Sequence, residues 1–329
     1  MEDKYIPPYD ITDKMLELVS EIMESLGRLS GVNEFEKLPR LRRVSRIKSI
    51  HSSLAIENNT LSIEQVTDVI NGKRVLAPQK DIEEVHNAFN AYEKLGEINP
   101  YSIDDLLKIH GIMMNGLVKE AGSLRSGQVG VYNQDGQVVH LAPPAEFVPQ
   151  QLEQLFDWVK NSNANMLIKS SVFHYEFEFI HPFNDGNGRT GRLWQTALLA
   201  SWKTIFAWIP IESIIKDNQE DYYNAITLST SQGKSNIFIE FMLDVINKAI
   251  KDIITDTRNH YNHINNQITE LMKVIESYPQ SATELMEKLN LKSRLGFRKN
   301  YLQPALDAGL IGMTEPDKPT SKNQKYFKI

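Results

Sequence analysis

The chain has 329 residues, and 36 Lys and Arg against 42 Asp and Glu give it a formal net charge of −6. With 41% hydrophobic and 24% charged residues it has an ordinary globular composition, long enough for two or three domains, which excludes a disordered or fibrous chain. The absence of cysteine rules out a disulfide framework, a thiolate metal site and a Cys nucleophile.

No apolar run approaches the ~18 residues of a membrane span. Met1-Glu2-Asp3-Lys4 lacks the basic-then-apolar pattern of a secretion signal, so the cytoplasm is the expected compartment. The charge is unevenly spread. Residues 281–329 hold nine basic and five acidic side chains, a balance of +4, and the remainder carries −10, which points to two parts with different partners.

In chain order, helical spacing of Met15, Leu18, Val19, Ile22 and Leu26 predicts a helix over 11–29. Ser62 with Gln65 forms a capping-box start for a helix that Gly72 stops. The basic run Arg40, Arg42, Arg43, Arg46 and Lys48 reads as a solvated helix face. Helices are expected at about 80–97, 102–119, 146–162, 164–180, 188–203, 218–231 and 235–265.

Two Val-rich pieces within 129–141 flank Asn133-Gln134-Asp135-Gly136, which predicts a β-hairpin. The stretch Phe173 to Phe179 alternates apolar and polar residues like a strand, yet Phe173, Phe177 and Ile180 also fit one helix face, so periodicity leaves both open. Beyond 265, helices at 268–277, 282–289 and from Ser293 precede a Pro- and Lys-rich loop and a closing strand, 325–329. That is the plan of a winged helix-turn-helix.

Chemistry concentrates in His181-Pro182-Phe183-Asn184-Asp185-Gly186-Asn187-Gly188-Arg189-Thr190-Gly191-Arg192. Three glycines before the apolar run from Leu193 set a tight loop at a helix N-terminus, where unpaired backbone N–H groups make an anion site. Arg189 and Arg192 suit forked contacts with phosphate oxygens. Asp185 offers a hard oxygen ligand for Mg²⁺, and His181 can take a proton near neutral pH. A base, an anion cradle, a metal ligand and an arginine clamp are the parts of phosphoryl or nucleotidyl transfer. The loop is neither a Walker loop nor a calcium hand, because the spacing of both is absent. His174 and His181, seven apart, could share a helix face, but no His-Asp pair or third His supports a metal phosphohydrolase.

At every defined position this segment resembles the Fic family signature, His-Pro-Phe-x-Asp/Glu-Gly-Asn-Gly-Arg-x-x-Arg. The resemblance implies a mainly α fold: a Fic-type helical core with a β-hairpin flap, plus a C-terminal winged helix-turn-helix. The implied divisions are N-terminal helices 1–100, a catalytic core 101–265 and a winged-helix domain 266–329. It implies a protein adenylyltransferase that moves AMP from ATP·Mg²⁺ to a target hydroxyl. His181 would be the base, Asp185 the Mg²⁺ ligand, and Gly186, Asn187, Gly188, Thr190 and Gly191 part of the ATP-binding loop. Arg189 and Arg192 would bind the β and γ phosphates, and Phe183 would anchor the loop.

The hairpin would be a flap on which the target protein docks. Val138, Val139, His140 and Leu141 would line the nucleotide site, and Tyr222 and Tyr223 would border the adenosine. The resemblance also makes 173–180 helical. Ser53-Leu54-Ala55-Ile56-Glu57-Asn58 is similar to the family's inhibitory pattern, Ser/Thr-x-x-x-Glu-Gly/Asn, in which Glu57 would pair with Arg192 and could also serve removal of AMP. Two other readings stand beside this one. One is transfer of another nucleotide or a phosphate, against which Arg189 argues. The other is a DNA-binding regulator acting through Arg294, Arg298 and Lys299, weakened by Pro304 and Glu315. Homo-oligomerisation is left open.

Overall fold

The computed structural model describes residues 5–31, 39–132 and 138–329. They divide into two compact units, 1–253 and 254–329. The first is helical apart from one hairpin. Helix α1 (Asp13–Gly31) buries Met15, Leu18, Ile22 and Leu26, four of the five spaced residues that predicted it, and leaves Val19 half-buried. Helix α2 (Pro39–Ile56) buries Ile47, Ile50 and Leu54 at helical spacing. Arg43 is exposed as expected of a solvated face, but Arg42 and Arg46 are not. Arg46 is buried, and Arg42 and Arg46 both lie over the Trp208 ring, at 5.0 and 4.6 Å from its centroid.

Helix α3 (Ile63–Ile70) opens on the Ser62/Gln65 capping box and ends before Gly72, whose φ of 71° is left-handed. Helices α4 (Gln79–Glu93) and α5 (Ile103–Met113) pack on each other, and α4 also packs on α2. The helix expected to reach 119 stops at Met113, because the chain turns at Gly116 with φ 72°.

The hairpin is present: β1 (Gly130–Tyr132) pairs antiparallel with β2 (Val138–Leu141), with a register shift between Val131 and Tyr132. The turn expected at 133–136 lies outside the described residues. Helix α6 (Val148–Asn161) follows, and then the two helices that carry the site, α7 (Met166–Ile180) and α8 (Asn187–Trp202), pack closely side by side. Helix α7 is buried on nearly every side, so its apolar and polar residues need not separate into faces. Its alternating polar residues are inside, and His174 and Glu176 have partners there. His174 Nδ1 lies 2.6 Å from Gln195 Oε1, and the Tyr5 hydroxyl donates to Glu176 Oε2 at 2.6 Å. Burial drives the His174 imidazolium down to about 3, so this ring is neutral.

Two further helices, α9 (Ile211–Asp217) and α10 (Gln219–Gln232), follow in the first unit. Helix α11 (Asn236–Val274) is continuous where a break near 265 was expected, because nothing between 236 and 274 is Gly or Pro. The domain boundary expected at 265/266 therefore lies within a helix.

The second unit has the order expected of a winged helix: α12 (Ala282–Lys288), then α13 (Arg294–Phe297) and α14 (Gln303–Asp307), then a hairpin. Strands β3 (Gln280–Ser281), β4 (Ile311–Met313) and β5 (Lys325–Lys328) form an antiparallel sheet in the order β3-β5-β4. Residues 298–302 between α13 and α14 form a π turn. Pro304 offers no N–H to the carbonyl of Asn300, and widening the helix there lets the chain continue. The core of this unit is Leu271, Ile275, Leu285, Phe297, Leu302, Ala305, Ile311 and Tyr326.

Candidate active site

His181 caps α7 in a left-handed conformation, φ 49° and ψ 63°. Pro182 cannot donate to the helix and biases the residue before it out of the α region, so the chain must turn here. A non-glycine residue held in this region costs on the order of 1 kcal/mol, and the surroundings maintain it. Arg125 supplies much of that hold. Its Nε donates to the His181 carbonyl at 2.7 Å, its Nη2 to Pro143 O at 2.6 Å and Ile180 O at 3.2 Å, and its backbone N–H to Pro182 O at 2.9 Å. This one buried side chain ties the end of α7 to the exit of the hairpin. The His181 Nδ1 lies 3.3 Å from the Glu178 carbonyl. A carbonyl only accepts, so Nδ1 carries the proton and Nε2 is the basic nitrogen.

The loop that follows is pinned from both sides. Asn187 Nδ2 donates to Phe183 O at 2.8 Å while Phe183 N–H donates to Asn187 Oδ1 at 2.9 Å. Phe183 is fully buried, as expected of an anchor, and stacks on the His110 ring with centroids 3.6 Å apart and planes 3° apart. Gly122 N–H donates to His110 Nδ1 at 2.9 Å, which leaves His110 Nε2–H to donate to the Asp185 carbonyl at 3.0 Å. Burial lowers the His110 pKa, in keeping with this neutral tautomer.

Gly186 has φ 83°, and a Cβ there would run into the Met114 side chain, so two separate constraints demand glycine. No side chain caps the start of α8. Its first N–H groups face a cavity of about 280 Å³ lined by Glu57, Glu178, His181, Asp185, Gly186, Asn187, Gly188, Arg192, Tyr222 and Tyr223, with Gly130 of β1 at its edge. Among the nucleotide-site candidates on β2, the structure places only the backbone: Val138 opposite Tyr132, His140 opposite Val131 and Leu141 opposite Gly130, with β2 against α10.

Asp185 accepts from Gly186 N–H at 2.6 Å and from Arg189 Nη2 at 3.0 Å, both through Oδ1. The two arginines part company. Arg192 reaches the cavity, donating through Nη2 to Glu57 Oε1 at 2.7 Å and to Ser53 O at 3.0 Å, and through Nε to Ser53 Oγ at 3.2 Å. Arg189 does not border it. Its Nη1 donates to the buried Glu84 at 3.0 Å, so a guanidinium expected on phosphate is committed to a carboxylate. Thr190 and Gly191 are likewise buried away from the cavity; a Cβ on Gly191 would meet Glu178 and Phe177.

The Glu57 carboxylate stands over the start of α8, where a Cβ on Gly188 would collide with both Glu57 Oε1 and Arg192 Nη1. Asn58, at φ 65°, ends the helical run, and Asn59 Nδ2 donates to Glu84 Oε2 at 2.8 Å. Tyr222 is buried with its hydroxyl 3.1 Å from His174 Nε2, and Tyr223 is partly buried beside it.

Three residues of this site went unnoticed in the sequence: Arg125, His110 and Glu178. The first two act through backbone carbonyls and leave no motif. Glu178, three residues before His181, was hidden in an undecided alternation. It is buried at 5% exposure, its Oε1 has no hydrogen-bond partner among the described residues, and burial pushes it up to about 8.

The Fic/DOC family profile matches residues 100–199, and that of the Fic-like C-terminal domain (filamentation induced by cAMP) matches 266–327. A crystal structure of a Fic family protein from Desulfovibrio desulfuricans G20 is 45% identical and covers 99% of this chain and 98% of its own, with a TM-score of 0.76. Protein adenylyltransferase fic-1 of Caenorhabditis elegans is 25% identical over 87% of this chain and 54% of its own length. Protein adenylyltransferase Fic of Nematostella vectensis is 28% identical over 73% and 56%. The chain thus spans about half the length of the curated relatives it matches. Near-complete alignment at 45% identity, on top of a loop built as the signature requires, makes this chain a member of the Fic family.

Proposed function

We propose that this protein is an adenylyltransferase that moves AMP from ATP to a hydroxyl side chain of a target protein, and that Glu57 restrains it. The observation that carries the reading is the single cavity in which a histidine with a basic Nε2, an uncapped helix start, Arg192 and the Asp185 carboxylate meet. Relatives named protein adenylyltransferases support it.

In this reading the α8 N–H groups and Arg192 take the phosphates, Tyr222 and Tyr223 border the adenosine, and His181 Nε2 accepts the proton of the attacking hydroxyl. Pyrophosphate leaves as the hydroxyl oxygen bonds to the α-phosphorus. Asp185 fits Mg²⁺. Its half-exposed carboxylate uses Oδ1 within the loop and has Oδ2 to spare, and one carboxylate plus substrate phosphates is a common Mg²⁺ arrangement. Bound there, Mg²⁺ would neutralise charge on the phosphate oxygens.

Glu57 brings a negative charge to the spot where the helix start and Arg192 would receive the terminal phosphate, and that is the physical basis of restraint. The same carboxylate could orient a water for removal of AMP. The hairpin, with Gly130 of β1 at the cavity edge and β2 paired to it, supports docking of the target as an added strand. Transfer of label from α-³²P-ATP to lysate proteins tests the reading. Labelling that the His181→Ala protein retains would overturn it.

A further inference from the structure

Behind the cavity, buried side chains from four helices form a hydrogen-bonded chain that begins on its arginine. Arg192 of α8 donates through Nε to Ser53 Oγ of α2 at 3.2 Å, and through Nη2 to Ser53 O at 3.0 Å. The Ser53 hydroxyl is hydrogen-bonded to the phenol oxygen of Tyr92 of α4. The Tyr92 hydroxyl donates to Oε1 of Glu212 of α9 at 2.6 Å. Ser53, Tyr92 and Glu212 are each 1% exposed.

Counting protons fixes the direction of every link. A phenol has one proton, and burial together with the Glu212 charge holds the Tyr92 pKa well above its ordinary value, so the proton stays and goes to Glu212. Towards Ser53 the phenol oxygen can then only accept. Ser53 therefore donates to Tyr92 and turns a lone pair to the Arg192 Nε–H. All three donors point one way, from Arg192 to the Glu212 carboxylate, and bonds aligned like this strengthen one another.

As plain core this arrangement is a poor choice. Glu212 Oε2 has no hydrogen-bond partner among the described residues, and apolar side chains packed in its place would hold the helices as well or better. What the acid adds is polarity. Without it Tyr92 could turn its proton to Ser53, and Ser53 its own to Arg192, where donor would meet donor.

The geometry points to Tyr92 and Glu212 as positioning residues for Arg192: they set the Ser53 hydroxyl as an acceptor, and so hold the guanidinium on α2 whether Glu57 or a phosphate is its partner. Neither lines the cavity, so both act through Ser53. The inference rests on the reading of Arg192 as a ligand of the terminal phosphates, and the test separates the two.

The test uses the full chain carrying Glu57→Gly, so that no carboxylate competes, with ATP and AMP as probes in calorimetry. This parent should bind ATP more tightly than AMP, which lacks the β and γ phosphates. Tyr92→Phe keeps the ring and removes the link; it should weaken ATP about tenfold, as loss of one hydrogen bond to a charged group does, and leave AMP unchanged. Ser53→Ala should do the same, and the double variant no more than either alone, because both break one chain. Glu212→Leu should match Tyr92→Phe, whereas Glu212→Gln, which keeps an acceptor for the phenol, should restore most of the ATP affinity. In ¹⁵N spectra without ligand, the Arg192 Nε–H should exchange with water on the order of tenfold faster in Tyr92→Phe than in the parent.

Equal losses of ATP and AMP in Tyr92→Phe, additive losses in the double variant, a Glu212→Leu protein that binds ATP as the parent does, a Glu212→Gln protein as weak as Glu212→Leu, or an Arg192 Nε–H indifferent to Tyr92→Phe would each overturn the inference. A parent that binds ATP no better than AMP, while its Nε–H still responds to Tyr92→Phe, would overturn the phosphate role of Arg192 and leave its positioning standing.

Discussion

Glu57 Oε1 lies 2.7 Å from Arg192 Nη2, and the same carboxylate occupies the space in which a side chain on Gly188 would stand. An acid is thus lodged at the positive end of a helix, held by the arginine of the signature. Replacing it with glycine clears the position and leaves Arg192 anchored on Ser53. Glu57→Gly is expected to raise label transfer from α-³²P-ATP at least tenfold, self-labelling included. Combining it with His181→Ala should return transfer to background, a drop of 10²–10⁴ for loss of a general base.

Arg189 has a different duty from Arg192. Its contact with Glu84 is a buried ion pair, whereas Asp185 on its other side is half-exposed, and deleting Arg189 leaves the buried Glu84 charge without its arginine. Arg189→Ala should destabilise the fold by about 3–5 kcal/mol in thermal or urea unfolding. Adding Glu84→Gln should recover a large part of that loss. A full loss that the second substitution leaves untouched would show that Arg189 serves something other than this pair.

The pH dependence follows from Glu178 and Glu176, which burial raises to about 8 and about 7. A carboxyl with a raised folded-state pKa holds its proton more tightly in the native protein than in the unfolded chain. Its contribution is complete below the ordinary carboxylate range, near pH 4, and is lost as pH rises through 7 to 8. Stability should therefore fall across that window. Glu178→Gln should flatten it, by an amount on the order of a few kcal/mol between pH 5 and 9.

Arg125 holds the His181 carbonyl without touching the cavity. Arg125→Lys keeps a charge but loses the fork, so His181 should wander from its left-handed conformation. Label transfer should fall at least tenfold, with ATP binding by calorimetry unchanged. A parallel loss of ATP affinity would indicate collapse of the loop instead.

Much of this molecule was legible in its residues, for reasons that can be named. The loop His181–Arg192 was readable because glycine and charge at fixed spacing admit few geometries. The capping box at Ser62 was realised as read, since it is local. Helix α7 was not, because a helix buried all round erases the periodicity that separates helix from strand. Arg42 and Arg46 misled because arginine hides as readily over an aromatic ring as it solvates. The pairing of Arg189 with Glu84 was not legible, because sequence shows a charge but not its distant partner.

Asn59 gives the neighbourhood of Glu57 a further meaning. It fastens the end of α2 to Glu84, and Gln219 Nε2 fastens it again at Ile56 O, 3.0 Å away, while Arg192 grips Ser53 one turn earlier. The helix is thus bolted at three points, and only the carboxylate beyond it, one-third exposed, has freedom to leave. If Glu57 restrains the site as proposed, its release needs only a turn of one side chain about its own bonds, with the helix standing still.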